Sequence, residues 1–317
     1  MTEYFIRRFG VALLTIAGAA FLVFSTVRFL PGDTVDVLLQ SGGYADVKTR
    51  DDVAKALGID RPLLVQFGSW MGGLAQGDFG DSLITKRPIG TDLSSALPVT
   101  LELGLLSVFF ATVIGVPIGV FSAVRQNTIL DYAARTVSVF FLSVPGFLIG
   151  TAVIVFGSKW FNWSPALEYK SLFEDPVANI KQFWMPSLLL GLGGSAGLMR
   201  FTRTAVLEII RQDYIRTARS KGLRESTTIW RHILRNSLLP VITVIGIYLA
   251  YIIGGSIIFE RMFSLPGLGR YFFNAVSKRD YPSIQAVGLI YAVFVILVNL
   301  VTDLMYVVAD PRIRYRN

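Results

Sequence analysis

Six stretches of about twenty apolar residues constrain this chain more than any other feature. They lie at 9–30, 98–124, 136–158, 185–207, 238–258 and 283–308. A bilayer core about 30 Å thick is crossed by roughly 20 apolar residues in a helix. Inside lipid a helix also satisfies its own backbone hydrogen bonds. The expected fold class is therefore all-α and integral to the membrane, with six transmembrane helices. Composition agrees: 53% of residues are hydrophobic and 16% charged, against about 25% charged in soluble domains.

The first stretch follows Arg7 and Arg8. It is longer than the apolar region of a signal peptide, about 7–15 residues, and no small-x-small cleavage site follows it closely. It reads as a first membrane helix at 1–30 with its N-terminus inside. Residues 31–95 differ in character, with nine acidic residues against six Lys and Arg and the turn-rich strings PGD (31–33), SGGY (41–44) and GDFGDS (77–82). A short helix is expected from Asp51 to Leu57, stopped by Gly58, and an amphipathic one over 62–75. This is a small external segment, and 96–317 is a five-helix core. Between the third and fourth stretches, Trp160, Trp163, Tyr169 and Trp184 suit an interfacial aromatic belt. The string GLGGSAG (191–197) would let helix backbones approach closely.

The formal net charge is +8. Such an excess is one signature of nucleic-acid binding, but its distribution favours membrane topology. With the N-terminus inside, the basic loops at 125–135 and 208–237 and the basic tail DPRIRYRN all fall inside, as expected for cytoplasmic segments. The acidic 31–95 and the segment 159–184 fall outside. The loop at 259–282 votes the other way, with Arg261, Arg270, Lys278 and Arg279. Six spans put both termini in the cytoplasm.

There is no cysteine and a single histidine, His232. That excludes disulfides and thiolate chemistry and leaves no His-based zinc set. His232 reads as a polar residue on a surface helix. No G-x-x-x-x-G-K-[ST] phosphate loop is present, so ATP hydrolysis is not expected of this chain, nor any other catalysis. Glu102, Arg135, Arg200 and Asp303 are charges in or near spans, where they face a cavity or a partner. Glu102 and Asp303 are candidates for a translocation path. Phe109, Phe110, Phe140 and Phe141 read as lipid-facing or packing residues.

The segment 208–237 is too polar to span, with seven Lys and Arg against three acids. Residues 213–221 contain no helix breaker, Gly222 interrupts them, and a second helical pattern runs over 223–235. A helix–Gly–helix at the membrane surface is expected. It could anchor topology, dock a cytoplasmic partner or bind nucleic acid.

Further strings narrow this. DYIRTARSKGL (213–223) followed by RHILRNSLLPVIT (231–243) resembles the cytoplasmic loop of ABC-importer permeases, and is most similar to the B-type subunit of the dipeptide/oligopeptide/nickel permease family. IRRFG (6–10), FLPGD (29–33), GIDRPLLVQFGSWMGGLAQGDFGDS (58–82), FSLPGLGRYFFNAVSKRDYP (263–282) and VNLVTDLMYVVADPRIR (298–314) resemble further segments of that subunit in the same order. Arg216-Thr217-Ala218 stands where the generic importer loop has Glu-Ala-Ala, Gly222 keeps its place, and the Leu-Pro element is displaced to Leu239-Pro240.

The resemblance implies a type I ABC importer permease fold with a small external domain after the first helix, in a bacterial or archaeal plasma (inner) membrane. It implies a second homologous permease, two ATPase subunits and an extracytoplasmic substrate-binding protein as partners, with the lipid bilayer around them and no nucleic acid. The cargo would be di- or oligopeptides. ATP and Mg would be held by the ATPase subunits, with no cofactor on this chain. Asp213, Tyr214, Arg216, Thr217, Ala218, Arg219, Lys221 and Gly222 would form the ATPase-coupling interface. Asp78, Asp81, Pro266 and Gly267 would meet the binding protein. The rival class is an ion-gradient-driven secondary transporter, but neither an inverted repeat nor a cluster of mid-span acids supports it.

Overall fold

The structure, a computed structural model, describes residues 2–29 and 60–309. The helix expected at Asp51–Leu57, much of the acidic segment and the basic tail lie outside these residues. Regular structure among the described residues is helical, apart from one isolated bridge between Asp81 and Pro88. In chain order the helices are α1 Thr2–Phe29, α2 Leu63–Ala75, α3 Ile89–Val124, α4 Ile129–Ser143, α5 Gly146–Phe161, α6 Pro176–Ile210, α7 Asp213–Ser220, α8 Glu225–Met262, α9 Leu268–Ser277 and α10 Tyr281–Ala309.

Four of them, α1, α3, α8 and α10, are long and apolar enough to cross a bilayer, and the bent pair α4–α5 supplies a fifth crossing if it counts as one span. The sixth expected span, 185–207, lies within α6. That helix has 35 residues, about 52 Å at 1.5 Å per residue, so length is ample. Its apolar character is lower because much of its surface meets protein instead of lipid: Phe183, Leu189, Leu198, Met199 and Val206 are buried, and so are Ser187, Ser195 and Thr202.

Two expectations need correction. The stretch 136–158 is not one straight span but two limbs meeting at 91°. Val144 is extended at φ −88, ψ 120 and Pro145 follows at φ −56, ψ 129. The residue before a proline is pushed out of the helical region, and proline has no N–H to continue the ladder. The second polar helix, expected to end before a separate span at 238, instead runs unbroken into it as α8. Nothing from Glu225 to Leu239 breaks a helix, and Pro240 sits inside it. Residues Thr228–Leu234 take the wider π-helical form, a local widening often found at functional sites.

The chain divides into two compact units, residues 1–100 with 266–297, and 101–265 with 298–317. In the first unit, Phe21 and Phe24 of α1 meet Phe67 of α2, each at 5.4 Å between ring centroids, and Phe24 also meets Trp70 at 6.0 Å. A core of Ile89, Leu93, Ala96, Leu268, Ala286 and Val287 joins the start of α3 to α9 and α10. Thr100 Oγ1 accepts the Leu268 N–H at 2.8 Å, fixing the start of α9. Beside this core sits Asp280, only 5% exposed. Its carboxylate accepts from Ser82 Oγ at 2.6 Å, Ser283 Oγ at 2.8 Å and the Leu83 N–H at 3.1 Å. Replacing Asp280 by Ala leaves those buried donors without their acceptor. The expected loss is about 1–3 kcal/mol, read as a lowered thermal midpoint of the purified protein; an unchanged midpoint would show the knot to be dispensable.

In the second unit α3 and α6 lie backbone to backbone. A Cβ on Gly115, Gly119 or Gly191 would come within 2.7 Å of the carbonyl oxygen of Ser195, Met199 or Ser107 respectively. Tyr248 of α8 donates to the Leu190 carbonyl of α6 at 2.8 Å. Phe109 and Phe140 are both more than half exposed.

Candidate functional site

Helix α7 is eight residues long and polar, and two of its residues seat it. Ile215 is fully buried and Ala218 nearly so. Ile215 packs with Ala123 of α3, Val206 of α6 and Ile233 of α8 in one apolar cluster. The i, i+3 spacing of 215 and 218 puts both on one helical face. The rest of the helix carries Asp213, Tyr214, Arg216, Thr217 and Arg219, with Lys221 just after it, all exposed. Seven of the eight residues expected at a coupling interface, Gly222 included, are therefore available to a partner. Ala218 is not, because it faces the bundle.

The turn after α7 is closed by Gly222 at φ +76. Its N–H donates to the Arg219 carbonyl at 2.9 Å, and the Leu223 N–H donates to the Ala218 carbonyl at 3.4 Å. This is the paired bonding of a Schellman helix end, which needs a residue in the left-handed region. Arg219 then reaches across the turn to Glu225 with two bonds, Nε to Oε2 at 3.1 Å and a terminal nitrogen to Oε1 at 2.6 Å. Both partners are about half exposed, so the pair adds at most about 1 kcal/mol but fixes the corner between α7 and α8. Asn236 of α8 donates to the Tyr214 hydroxyl at 3.0 Å.

One group near this loop escaped the sequence reading. Asp131, in the first turn of α4, is fully buried. Arg203 of α6 holds it with two parallel bonds of 2.9 Å each. The Ser122 hydroxyl donates to the same carboxylate, as does the Asn127 N–H at 3.0 Å. The usable signal was helical spacing: Arg203 lies four residues after buried Met199 and three before buried Val206, so it must point inward.

Other expected residues are dispersed. Glu102 is partly buried on α3, and Asp303 is partly buried on α10. Arg135 lies over the Tyr132 ring at 5.5 Å, and Arg200 is exposed. An apolar groove of about 550 Å³ opens between the start of α5, the middle of α6 and α8, floored by Gly193, Gly194 and Gly197 and walled by Phe201, Tyr251 and Phe259. In the first unit Pro266 and Gly267 line a cleft of about 330 Å³ with Arg87, Asp92, Arg270 and Lys278, and burial pushes the Tyr271 phenol there up from its ordinary value. Asp78 instead caps its own loop, accepting the Gly80 N–H at 2.8 Å, and Asp81 is exposed at the bridge to Pro88. Among the described residues no cluster of three or more His, Asp or Glu is placed to hold a metal.

A membrane helix bundle with a polar surface helix seated on its end, its charged face turned outward, has the form of a transporter's permease subunit. Known proteins carry this to a family. Residues 115–315 match the family described as binding-protein-dependent transport system inner membrane component. The di/tripeptide transport system permease protein DppB of Pseudomonas aeruginosa is 35% identical, with 100% of both chains covered. The oligopeptide transport system permease protein AppB of Bacillus subtilis is 37% identical over 99% of this chain and 100% of its own. The glutathione transport system permease protein GsiC of Pectobacterium atrosepticum is 37% identical over 100% of both. Among solved structures, a chain of the MetNI methionine ABC transporter in an inward-facing conformation aligns with TM-score 0.54 at 21% identity, covering 69% of this chain and 96% of that one. That likeness establishes the fold alone. The chain belongs to the binding-protein-dependent transport system inner membrane component family and is the permease component of an ABC transport system. The ion-gradient-driven alternative finds no support in these relatives.

Proposed function

We propose that this chain is one of two permeases in an ATP-driven importer of di- or oligopeptides. The observation that carries the reading is likeness along the whole chain to permeases named for di/tripeptide, oligopeptide and glutathione transport. In this reading α7 is the docking helix. Asp213, Tyr214, Arg216, Thr217, Arg219 and Lys221 meet a groove on a cytoplasmic ATPase subunit, Gly222 shapes the turn, and Ile215 and Ala218 hold the helix on the bundle. ATP and Mg belong to two such ATPase subunits, and the chain itself catalyses nothing. Closure of the ATPases displaces α7, and the permease pair alternates between inward- and outward-facing states.

Both termini are cytoplasmic, residues 1–30 form the first span and 31–95 the external segment, and 96–317 form the core with its coupling loop at 208–237. An extracytoplasmic binding protein delivers cargo near Asp78, Asp81, Pro266 and Gly267. The glycine-floored groove suits side chains of varied shape, since its lining is largely apolar, and Glu102 and Asp303 add polar positions to the path.

The test is co-expression with candidate ATPase, second permease and binding protein, purification, and reconstitution with labelled trialanine and labelled glutathione as cargo probes. The wild-type chain is expected to retain the ATPase and carry trialanine. Arg216 is 77% exposed in its side chain and holds no part of the seat. Arg216→Glu should therefore lower ATPase retention by about tenfold, the scale of one misplaced interface charge, at unchanged thermal stability. A well-folded wild type that binds no ATPase overturns the docking reading. Uptake of glutathione alone moves the cargo from peptides at large to glutathione.

A further inference from the structure

The buried ion pair at the end of the bundle has no part in docking, yet its surroundings give it a mechanical role. Asp131 accepts four hydrogen bonds, two from Arg203 and one each from Ser122 and the Asn127 N–H, so all four lone-pair positions of its carboxylate are filled. Its own N–H donates to Thr128 Oγ1 at 3.3 Å, and Arg203 Nε also reaches Ser122 Oγ at 3.1 Å. The pair thus ties together the end of α3, the first turn of α4 and the last third of α6. Two of those anchors adjoin the apolar seat of α7. Ser122 directly precedes Ala123, and Arg203 lies one helical turn before Val206, both members of the cluster that holds Ile215.

The third anchor, α4, is not itself part of that seat. Helices α3 and α6 already meet backbone to backbone through Gly115, Gly119 and Gly191, so they move together. Helix α4 has no place in the Ile215 cluster. It packs along α6, with the Asp131–Arg203 pair at one end of the contact and, two turns further on, the Ser138 hydroxyl donating to Met199 Sδ at 3.1 Å. The second of these is a weak bond to a thioether. Beyond it comes the 91° elbow and α5, which forms one wall of the apolar groove through Gly146 and Phe147.

We infer that the Asp131–Arg203 pair is the joint through which displacement of α7 reaches the elbowed span α4–α5 and so the wall of the groove. A bidentate Arg–carboxylate pair is stiff in both distance and orientation. Buried, it resists separation because either partner alone is left as an uncompensated charge. Both residues are positioning residues that act through α4. The inference rests on the reading of α7 as the docking helix.

The chain contains no cysteine, so two introduced cysteines can carry spin labels without background. Gln212→Cys stands just ahead of α7 and Val155→Cys on α5, and both positions are exposed. In the complete transporter, the 212–155 distance is measured by pulsed electron paramagnetic resonance, without nucleotide and with ATP and vanadate. The wild-type distance is expected to stay constant, because α7 and α5 move as one body. In Asp131→Asn it should shift by several ångströms on nucleotide addition, with ATPase subunits retained at the wild-type ratio and ATP still hydrolysed. Arg203→Lys keeps the charge but loses the planar fork, and should give a smaller shift in the same direction. It decides the matter if Asp131→Asn fails to assemble. Equal behaviour of the wild type and both variants overturns the joint alone. A wild type that retains no ATPase subunit overturns the docking reading and this inference together.

Discussion

Gly222→Val is expected to abolish most coupling between this permease and its ATPase while leaving the membrane bundle intact. Gly222 sits at φ +76, and a Cβ built there meets nothing within 4 Å, so the penalty is purely conformational. A left-handed backbone costs an ordinary residue about 1–2 kcal/mol, and for a β-branched residue it is a genuine outlier. Valine moves the turn out of that region, and three features of the corner then go. The Gly222 and Leu223 N–H bonds to the Arg219 and Ala218 carbonyls open, and Arg219 no longer faces Glu225. The charged face of α7 loses its fixed angle to α8. At 1.4 kcal/mol per factor of ten, ATPase retention should fall by about tenfold, and transport with it. Gly222→Asn is the control, since asparagine visits the left-handed region routinely and should stay near wild type. Co-purification ratios and far-ultraviolet circular dichroism check the two halves. A valine variant that holds the ATPase as the wild type does would remove the turn from the mechanism.

What the sequence made legible, and what it did not, follows from the range of each interaction. The six membrane stretches and the helix–Gly–helix were readable because each is a local pattern. An apolar run must sit in lipid or protein, and a lone glycine between two charged helical runs marks a turn. The elbow at Pro145 was harder. Five prolines stand within the membrane stretches, and Pro98, Pro117, Pro186 and Pro240 lie inside continuous helices. Only at Pro145 is the preceding residue extended, and nothing local separates the five cases. The unbroken α8 was missed for a related reason: the polar composition of 225–237 suggested a surface helix, but polarity does not end a helix. Ala218 is instructive in the other direction. The apolar pair at 215 and 218 already indicated an inward face, and the family motif, which takes in position 218, outweighed that spacing. Asp131 and Arg203 stand 72 positions apart, and no periodicity joins them. Their pairing exists only because α4 folds back on α6.

Gly119→Leu is expected to give the largest stability loss of any single change considered, because its environment cannot give way. A Cβ there lies 2.7 Å from the Met199 carbonyl oxygen and 2.8 Å from the Thr202 Cβ, and both belong to the backbone wall of α6 or sit directly on it. Gly115 repeats the contact one turn earlier against Ser195 and Leu198, and Gly191 returns it from α6 against Ser107 and Phe110. Within a membrane, helices gain little from excluding apolar surface from lipid and depend on close packing, so the α3–α6 contact is where the second unit has most to lose. Overpacking a rigid core costs about 1–3 kcal/mol, and a leucine held against a carbonyl should reach the upper end or prevent assembly. The same separation draws Ser122 on α3 away from Asp131 and Arg203 and pulls Ala123 from beneath Ile215. Loss of packing between α3 and α6 should therefore also appear as loss of ATPase retention, although Gly119 is not itself a docking residue. Gly119→Ala should show the same two effects at smaller size. Thermal unfolding in detergent and ATPase co-purification, measured on the same preparations, check whether they fall together. Stability lost with docking fully kept would mean that α7 is held independently of the α3–α6 contact.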